Sequence, residues 1–227
     1  MQNFIFDLYG TLVDIRTDEQ SQKFRRRFNA YFKTVNPEIQ FFSEYFPLCD
    51  KLESSGGENC EIDISLVFEK LAGARSREAA LVFRQFSTQY IKPYRGVKRF
   101  LAKLKACGKR LFILSNAQSC FTLPELEKLK IAGLFDGIVI SSDFGRKKPD
   151  AEFFEFILAK YSLDPKDSIY IGNDLCADIC GARAVNLKTA YVLSNLSPVS
   201  DNMKKADKEA DFACDNHKQL FEYLLSL

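Results

Sequence analysis

The sequence predicts an α/β protein in which a doubly wound parallel sheet carries an inserted block of helices. Short apolar runs alternate with helical segments through the C-terminal half, as in repeated βαβ units. One further apolar run, NFIF, stands alone near the N-terminus and must join the same sheet. Between these regions, residues 15–92 place apolar side chains at three- and four-residue spacing and show no clear strand.

The elements are predicted in a regular order along the chain. A strand at residues 2–6 precedes the helical block, and a helix that ends at Gly108 follows it. Later strands are predicted at KRLFILS, GIVIS, DSIYIG and LKTAYVL, and later helices at residues 122–131, residues 150–161, ADICGARAV and the segment starting near His217. We therefore expect a core formed by residues 1–14 and 93–227, with residues 15–92 as a separate helical cap.

Composition excludes several classes of protein. The 227 residues are 46% hydrophobic and 27% charged, which favours an ordered globular chain over a disordered one. Lys and Arg number 32 against 30 Asp and Glu, a balance that argues against a general nucleic-acid or membrane-surface binder. A single histidine, His217, excludes a histidine-rich zinc site.

Targeting signals and cysteine usage indicate a location. No apolar segment approaches the roughly 18 residues that a membrane span needs, and no signal peptide is recognised. The seven cysteines are scattered and include no CxxC pair, which is typical of reduced thiols. We therefore expect a cytoplasmic protein, and the sequence makes no prediction about its oligomeric state.

Polar residues follow four of the predicted strands. Because ligands of open parallel sheets bind beyond the carboxyl ends of the strands, these residues are the candidates for a site. The groups, in strand order, are Asp7 with Gly10 and Thr11, then Ser115 and Asn116, then Lys147 and Lys148, and finally Gly172, Asn173 and Asp174 with Asp178 one turn later.

Taken together, these residue types suit phosphoryl transfer. A carboxylate can act as a nucleophile, a hydroxyl and an amide can hold phosphoryl oxygens, and a lysine can neutralise charge on both. An Asp and Asn cluster offers the oxygen ligands that Mg²⁺ prefers. Each group alone has an ordinary structural explanation, since Asp7 suits a turn and Lys148-Pro149-Asp150 suits a helix start. Their joint placement at four strand ends carries the functional interpretation.

These motifs, in this order, resemble the haloacid dehalogenase superfamily of hydrolases over essentially the whole chain. DLYGTLVD is similar to the first motif, LSN to the second, KKPD to the third and IGNDLCADICGA to the fourth. The resemblance implies Asp7 as the nucleophile, Ser115 as a phosphoryl-binding residue and Lys148 as the lysine of the third motif. It also implies that residues 15–92 are the α-helical cap that many members carry between the first two motifs.

The resemblance extends to a full set of site residues. Asp7 and Lys148 are predicted as catalytic residues. Substrate binding is predicted for Gly10, Thr11, Ser115, Asn116 and Lys148. Ligands of a Mg²⁺ ion are predicted to be Asp7, the carbonyl of Tyr9, Asn173, Asp174 and Asp178.

Two positions depart from the phosphatases of the superfamily. Those enzymes usually carry an acid–base Asp two residues after the nucleophile, where this chain has Tyr9. A phenol with a reference pKa of about 10 is a poor general base near neutrality. In the fourth motif, the usual Gly-Asp is Gly172-Asn173, with Asp174 one place later.

The sequence leaves three functions open. The first is a Mg²⁺-dependent phosphatase of a small phosphorylated metabolite that acts through an aspartyl-phosphate. The second is a metal-free 2-haloacid dehalogenase, since those enzymes carry a DxYGT motif. However, Phe154 replaces a tyrosine of theirs, and Glu38 stands near the position of a cap arginine. The third is a binding or regulatory protein with low turnover.

Overall fold

A six-stranded parallel sheet forms the centre of the molecule. The computed structural model describes residues 1–54 and 56–227, so Ser55, inside the predicted cap, lies outside the described residues. The strands of the described residues are β1 (Asn3–Phe6), β2 (Val13–Thr17), β3 (Thr88–Pro93), β4 (Arg110–Ser115), β5 (Gly137–Ile140), β6 (Ser168–Gly172), β7 (Lys188–Val192) and β8 (Phe212–Cys214). Their order in the main sheet is β5-β4-β1-β6-β7-β8, which confirms the predicted doubly wound α/β fold.

Helices cover the sheet and form the inserted block. The block contains α1 (Gln22–Phe32), α2 (Phe41–Ser54), α3 (Ile64–Ala72) and α4 (Ser76–Ser87). The remaining helices are α5 (Val97–Ala106), α6 (Ser119–Lys128), α7 (Ser141–Phe144), α8 (Ala151–Tyr161), α9 (Gly181–Ala184), α10 (Met203–Glu209) and α11 (His217–Leu225).

The central strand β1 fixes where polar residues leave the sheet. All four of its residues are buried, as expected of a parallel strand that is covered on both faces. Phe6 pairs with Ile113 of β4 and with Ile171 of β6. The residues just beyond these pairs, which begin with Asp7, therefore emerge side by side at one edge of the sheet.

The two ends of the helical block form a β-ribbon that the sequence analysis missed. Residues 15–92 were expected to contain no strand, and this is wrong because β2 pairs antiparallel with β3 across the base of the block. Both strands are short and partly exposed, so they carry little apolar signal. The predicted division into core and cap remains a prediction, although the four helices lie between the two ribbon strands.

Other local differences follow from short or irregular elements. The predicted helix ADICGARAV begins as a π-helical turn, Leu175–Cys180, and continues as the short helix α9. The edge strand β8 and the helix α10 were not predicted, and each contains few buried apolar residues. No helix in residues 1–54 or 56–227 combines the length and apolarity that crossing a bilayer requires.

Aromatic side chains form the interior of the helical block. Phe28 is fully buried there, and its ring centroid lies 4.7 Å from that of Phe41 and 5.1 Å from that of Phe83. Both contacts are edge-to-face, the arrangement that aromatic quadrupoles favour. This cluster is separate from the apolar layers on the two faces of the sheet.

Replacing Phe28 with Ala should destabilise the protein by about 3–5 kcal/mol, because the cavity opens inside a packed aromatic cluster. The measurement is urea unfolding followed by circular dichroism. Phe156→Ala is the control, since that ring is 36% exposed. An equal loss of stability in both variants would contradict the packing argument.

Candidate active site

Asp7 lies at the centre of the site, directly after β1. Its backbone N–H donates to the carbonyl of Ile171, and the residue is buried, with 7% of its surface exposed. Ser115 Oγ donates to Asp7 Oδ1 at 3.1 Å, and Thr11 Oγ1 lies 3.3 Å from Asp7 Oδ2. The carboxylate is therefore held by the last residue of β4 and by a residue of the loop after β1.

Lys148 links two buried carboxylates. Its Nζ lies 2.8 Å from Asp7 Oδ1 and 2.6 Å from Asp178 Oδ1. The third contact of the ammonium group is the hydroxyl of Tyr170, at 2.8 Å. An ammonium group has three N–H donors, so these contacts use all of them.

Burial and charge shift the pKa values of this cluster. Burial raises the pKa of Asp7 to about 6, against the lowering effect of Lys148 and with a further increase from Asp178. Burial alone would lower the pKa of Lys148, but the carboxylates of Asp178 and Asp7 outweigh it and raise that pKa. Lys148 is therefore a fixed positive charge beside the nucleophile candidate.

Asp178 makes contacts that differ from those expected of a metal ligand. The sequence predicts it as one, but Asp178 Oδ1 accepts from Lys148 and from Tyr170, at 3.1 Å in the second case. Asp178 Oδ2 accepts from the backbone N–H groups of Asn173 at 2.9 Å and Asp174 at 3.0 Å. Both oxygens therefore face protein donors, and Asp178 anchors both Lys148 and the loop after β6.

Close approach between this loop and its neighbours depends on glycine. A Cβ on Gly172 would lie 2.3 Å from Asp178 Oδ2, and one on Gly10 would lie 2.4 Å from Asn173 Nδ2. Gly10 also has a φ of +91°, a value that disfavours other residues. Glycine at position 10 lets the loops after β1 and β6 touch, and glycine at position 172 leaves room for the Asp178 carboxylate.

Three oxygens at this contact suit a hard cation. Thr11 Oγ1 lies 3.1 Å from Asn173 Oδ1 as well as near Asp7 Oδ2. The single proton of the Thr11 hydroxyl cannot be donated to both acceptors at once, so either Asp7 Oδ2 or Asn173 Oδ1 is left without it. No group of three or more His, Cys, Asp or Glu side chains is arranged to hold a metal within the described ranges. Mg²⁺ nevertheless often binds through one or two carboxylates with substrate phosphate and water, so these residues fit it.

Asp174 and Asn116 occupy supporting positions. Asp174 Oδ1 accepts from the backbone N–H groups of Cys176 and Ala177 and so caps the π-helical turn. Asn116 exchanges two hydrogen bonds with the backbone of Lys148, at 2.8 and 3.0 Å. Asn116 thereby fixes the loop that carries the lysine.

Most of the predicted site residues line one cleft, which has a volume of about 230 Å³. Its lining includes the predicted residues Asp7, Tyr9, Ser115, Asn116, Lys148, Asn173, Asp174 and Asp178. Leu196 and Pro198, from the loop after β7, form its apolar side. Gly10 and Thr11 are not in this lining, but both contact Asn173 from the neighbouring loop.

Several residues that support the site were not predicted from the sequence. Tyr170 lies in the apolar strand β6, where nothing distinguishes a tyrosine that reaches Lys148 from one that only packs. His217 Nε2 lies 3.0 Å from the carbonyl of Thr11, and the imidazole stacks on Tyr94. Arg84 and Glu125, discussed below, are distant in sequence. Only His217, as the single histidine, gave a signal.

Comparison with known proteins gives a consistent family. A family model for haloacid dehalogenase-like hydrolases matches residues 4–192. The phosphoglycolate phosphatase of Aquifex aeolicus is 30% identical over 198 residues, which cover 85% of each chain. The glyceraldehyde 3-phosphate phosphatase of Pyrococcus abyssi is 28% identical over 82% of this chain and 79% of its own. A shorter match spans 63% of the glyceraldehyde 3-phosphate phosphatase of Methanocaldococcus jannaschii.

Solved structures share the fold at low sequence identity. A haloacid dehalogenase-type phosphatase from Thermococcus onnurineus has a TM-score of 0.63, with 16% identity over 99% of this chain and 98% of that one. The magnesium-bound putative hydrolase YfnB of Bacillus subtilis has a TM-score of 0.58, with 18% identity over 98% of both chains. An L-2-haloacid dehalogenase has a TM-score of 0.61, with 22% identity over the full length of both.

Replacing Asp7 with Asn should stabilise the metal-free protein at pH 8. The pKa of the Asp7 carboxyl rises from 3.8 in the unfolded chain to about 6 in the folded protein, so its contribution to stability is greatest below pH 4. That contribution is lost as the pH rises through about 6, whereas Asn does not titrate. The shift corresponds to on the order of 3 kcal/mol at pH 8. Urea unfolding in EDTA at pH 4 and pH 8 measures it.

Asp207→Asn is the control for this prediction, because Asp207 is exposed on α10. The difference between Asp7→Asn and the wild type should shrink as pH falls from 8 to 4, whereas the control should track the wild type. A stability gain that is the same at both pH values would contradict the assigned cause.

Proposed function

We propose that this chain, which belongs to the haloacid dehalogenase-like hydrolase family, is a magnesium-dependent phosphatase of small phosphorylated metabolites. The observation that carries the proposal is the environment of Asp7. One oxygen of its carboxylate is held by Ser115 and Lys148, while the other lies 3.3 Å from the Thr11 hydroxyl. Such a carboxylate is fixed in direction and retains an oxygen for attack on phosphorus.

The proposed reaction has two steps. Asp7 attacks the phosphorus in line, the bond to the leaving oxygen breaks, and an aspartyl-phosphate forms. Water then attacks the phosphorus and releases Asp7 and inorganic phosphate. Lys148 and Ser115 lie where they would also stabilise the charge that develops on the phosphoryl oxygens.

Mg²⁺ would be held by Asp7, the carbonyl of Tyr9 and the side-chain oxygen of Asn173. When bound, it would supply positive charge against the phosphoryl group and the nucleophile. Asp174 lies beside this set and is half buried, and burial raises its pKa. We assign Asp178 to holding Lys148 rather than the metal, because both its oxygens accept hydrogen bonds from protein donors.

The substrate is proposed to be small. The cleft holds about 230 Å³, which suits a phosphoryl group with a short organic part. The relatives named above act on phosphoglycolate and glyceraldehyde 3-phosphate, which have that size. Leu196 and Pro198 offer apolar contact to the carbon skeleton. We propose a short phosphomonoester as the substrate class.

Tyr9 does not supply a free acid near the leaving group, and this should appear in the kinetics. The Tyr9 hydroxyl donates to Glu125 and is therefore not available to protonate a leaving oxygen in this arrangement. Loss of a positioned acid typically costs 10²–10⁴-fold in rate, and most for poor leaving groups. We expect p-nitrophenyl phosphate to be hydrolysed faster than phosphoglycolate or glyceraldehyde 3-phosphate.

The test is phosphate release from these three compounds with Mg²⁺ and with EDTA. Activity should require Mg²⁺ and fall by at least about 10³-fold in Asp7→Asn, since the nucleophile is then lost. Ser43→Ala, in the helical block, serves as a control for handling and purity. Activity retained by Asp7→Asn would overturn the nucleophile assignment.

The same assay separates the other two functions. The Tyr9 position is shared with the dehalogenase motif, so 2-chloropropionate is tested in EDTA alongside the phosphates. Chloride release without metal would replace the phosphatase proposal with dehalogenation. No turnover of any compound would favour a binding role.

Replacing Asn173 with Asp should tighten metal binding. The substitution adds a negative charge beside Asp7 Oδ2 and the Thr11 hydroxyl, and affinity for divalent cations rises with the number of ligand charges. We expect the Mg²⁺ concentration for half-maximal activity to fall by about 10-fold.

Asn186→Asp is the matched control for Asn173→Asp. Asn186 lies in an exposed turn with a φ of +61°, a conformation that Asp tolerates. A shift of equal size in both variants would show that general charge, rather than the site, causes the effect. No shift in Asn173→Asp would remove Asn173 from the proposed ligand set.

A further inference from the structure

A buried polar network joins the loop after β1 to the helical block, and the proposed reaction does not use it. Tyr9 lies two residues after Asp7, and its hydroxyl donates to Glu125 Oε2. The same hydroxyl lies 3.0 Å from Thr122 Oγ1. Thr122 and Glu125 belong to α6, which packs on the sheet. The Asp7 loop is thereby tied to a helix of the core.

The other side of Glu125 faces the helical block. Arg84 of α4 donates from Nε to Glu125 Oε1 at 2.6 Å and from Nη2 to Glu125 Oε2 at 3.4 Å. The guanidinium also lies 5.3 Å from the ring centroid of Phe121, on α6. Since α4 leads directly into the ribbon strand β3, this contact lies close to the connection between the block and the sheet. One carboxylate thus accepts from both the Asp7 loop and the helical block.

The network contains a largely buried ion pair at a place where apolar side chains could fill the same space. The side chains of Arg84 and Glu125 are 17% and 10% exposed. Buried ion pairs are often no more stabilising than apolar residues of similar volume, because both charges lose hydration. The pair therefore needs a reason beyond stability, and its geometry supplies one. A bidentate Arg–carboxylate contact fixes direction as well as distance.

Tyr9 is held as a hydrogen-bond donor. Burial and the adjacent Glu125 carboxylate raise the pKa of Tyr9, so the phenol stays protonated. The same residue borders the cleft and carries the carbonyl that the proposed function assigns to Mg²⁺. The position of the phenol ring therefore constrains the backbone beside Asp7.

We infer that Glu125 and Arg84 are positioning residues that fix Tyr9, and through it the Asp7 loop, only when α4 of the helical block is seated against α6. The inference rests on the proposed function for its kinetic readout. Under this inference, Tyr9 links the helical block to the loop that carries Asp7, and it has no acid–base role.

The first test is a double-mutant cycle on kcat. Glu125→Gln and Tyr9→Phe should each lower kcat for p-nitrophenyl phosphate by about 10- to 100-fold, because a small misplacement of a reacting group has effects of this size. KM should change little, since Ser115 and Lys148 are untouched. If Glu125 acts through the Tyr9 hydroxyl, the double variant should be no slower than the slower single variant. Effects that multiply would overturn the inference.

The chain offers a closely matched control. Glu78 lies on α4, the helix that carries Arg84. It accepts from Arg75 at 2.8 and 2.9 Å and from the hydroxyl of Tyr31 at 3.0 Å. It has the same partner types as Glu125 but is exposed and belongs to the helical block alone. Glu78→Gln should leave kcat and KM unchanged. A similar loss of kcat in Glu78→Gln would mean that the effect of Glu125→Gln comes from a general weakening of α4, and it would overturn the inference.

A second measurement does not depend on turnover. Hydrogen–deuterium exchange is followed in the peptide that covers residues 7–13, where the amides of Gly10, Leu12 and Val13 are bonded within the loop. Glu125→Gln should speed exchange there by about 5-fold or more, and Glu78→Gln should not. Faster exchange confined to α4 and α6 would overturn the inference.

The two readouts keep the inference separate from the proposed function. If the wild type releases no phosphate but Glu125→Gln loosens residues 7–13, the phosphatase proposal fails and the positioning role stands. Should Glu125→Gln not fold, Arg84→Lys replaces it, because lysine keeps the charge and loses the bidentate contact. The same exchange result is then required of Arg84→Lys.

Discussion

The arrangement of the site depends on one ammonium group placed between two buried carboxylates. Lys148 contacts Asp7 and Asp178 at the same time, and nothing else of positive charge lies among the residues that line the cleft. Without it, two negative charges would be buried side by side at the edge of the sheet, which is costly. With it, Asp178 is free to hold the loop after β6 through two backbone N–H groups. The two contacts of Lys148 therefore fix Asp7, the lysine itself and, through Asp178, the loop that carries Asn173.

The strand order explains why these residues meet. Since β1 lies between β4 and β6, the residues after all three strands emerge at one edge, and the loop before α8 brings Lys148 to the same place. Glycine at position 10 lets the loops after β1 and β6 approach to within contact distance, and Gly172 makes room for Asp178. The remaining contacts are local consequences of this approach.

Much of this could be predicted from the sequence, and the rest could not for physical reasons. Parallel strands are continuous apolar runs, so β1, β4, β6 and β7 were recognisable, and so were the polar residues after them. The ribbon strands β2 and β3 are short and half exposed, which leaves no clear period. The remaining site contacts depend on the direction in which buried side chains point, which the sequence does not specify. Tyr170 and Glu125 look like a core residue and a helix-surface residue, and only the fold turns them toward Lys148 and Tyr9.

Asp178 shows the limit of inference from spacing. Its position four residues after Asp174 suits either a metal ligand or a helix-terminal carboxylate, and sequence does not distinguish them. Its contacts favour the second role, because both oxygens of the carboxylate accept hydrogen bonds from protein donors. Among the residues that the structure describes, the neighbouring Asn173 oxygen accepts only from the shared Thr11 hydroxyl, and its amide carries no charge. The proposed ligand set is therefore poorer in charge than the acidic spacing suggests. A site built this way would hold Mg²⁺ weakly until a phosphate adds its own charge, which links metal binding to substrate binding.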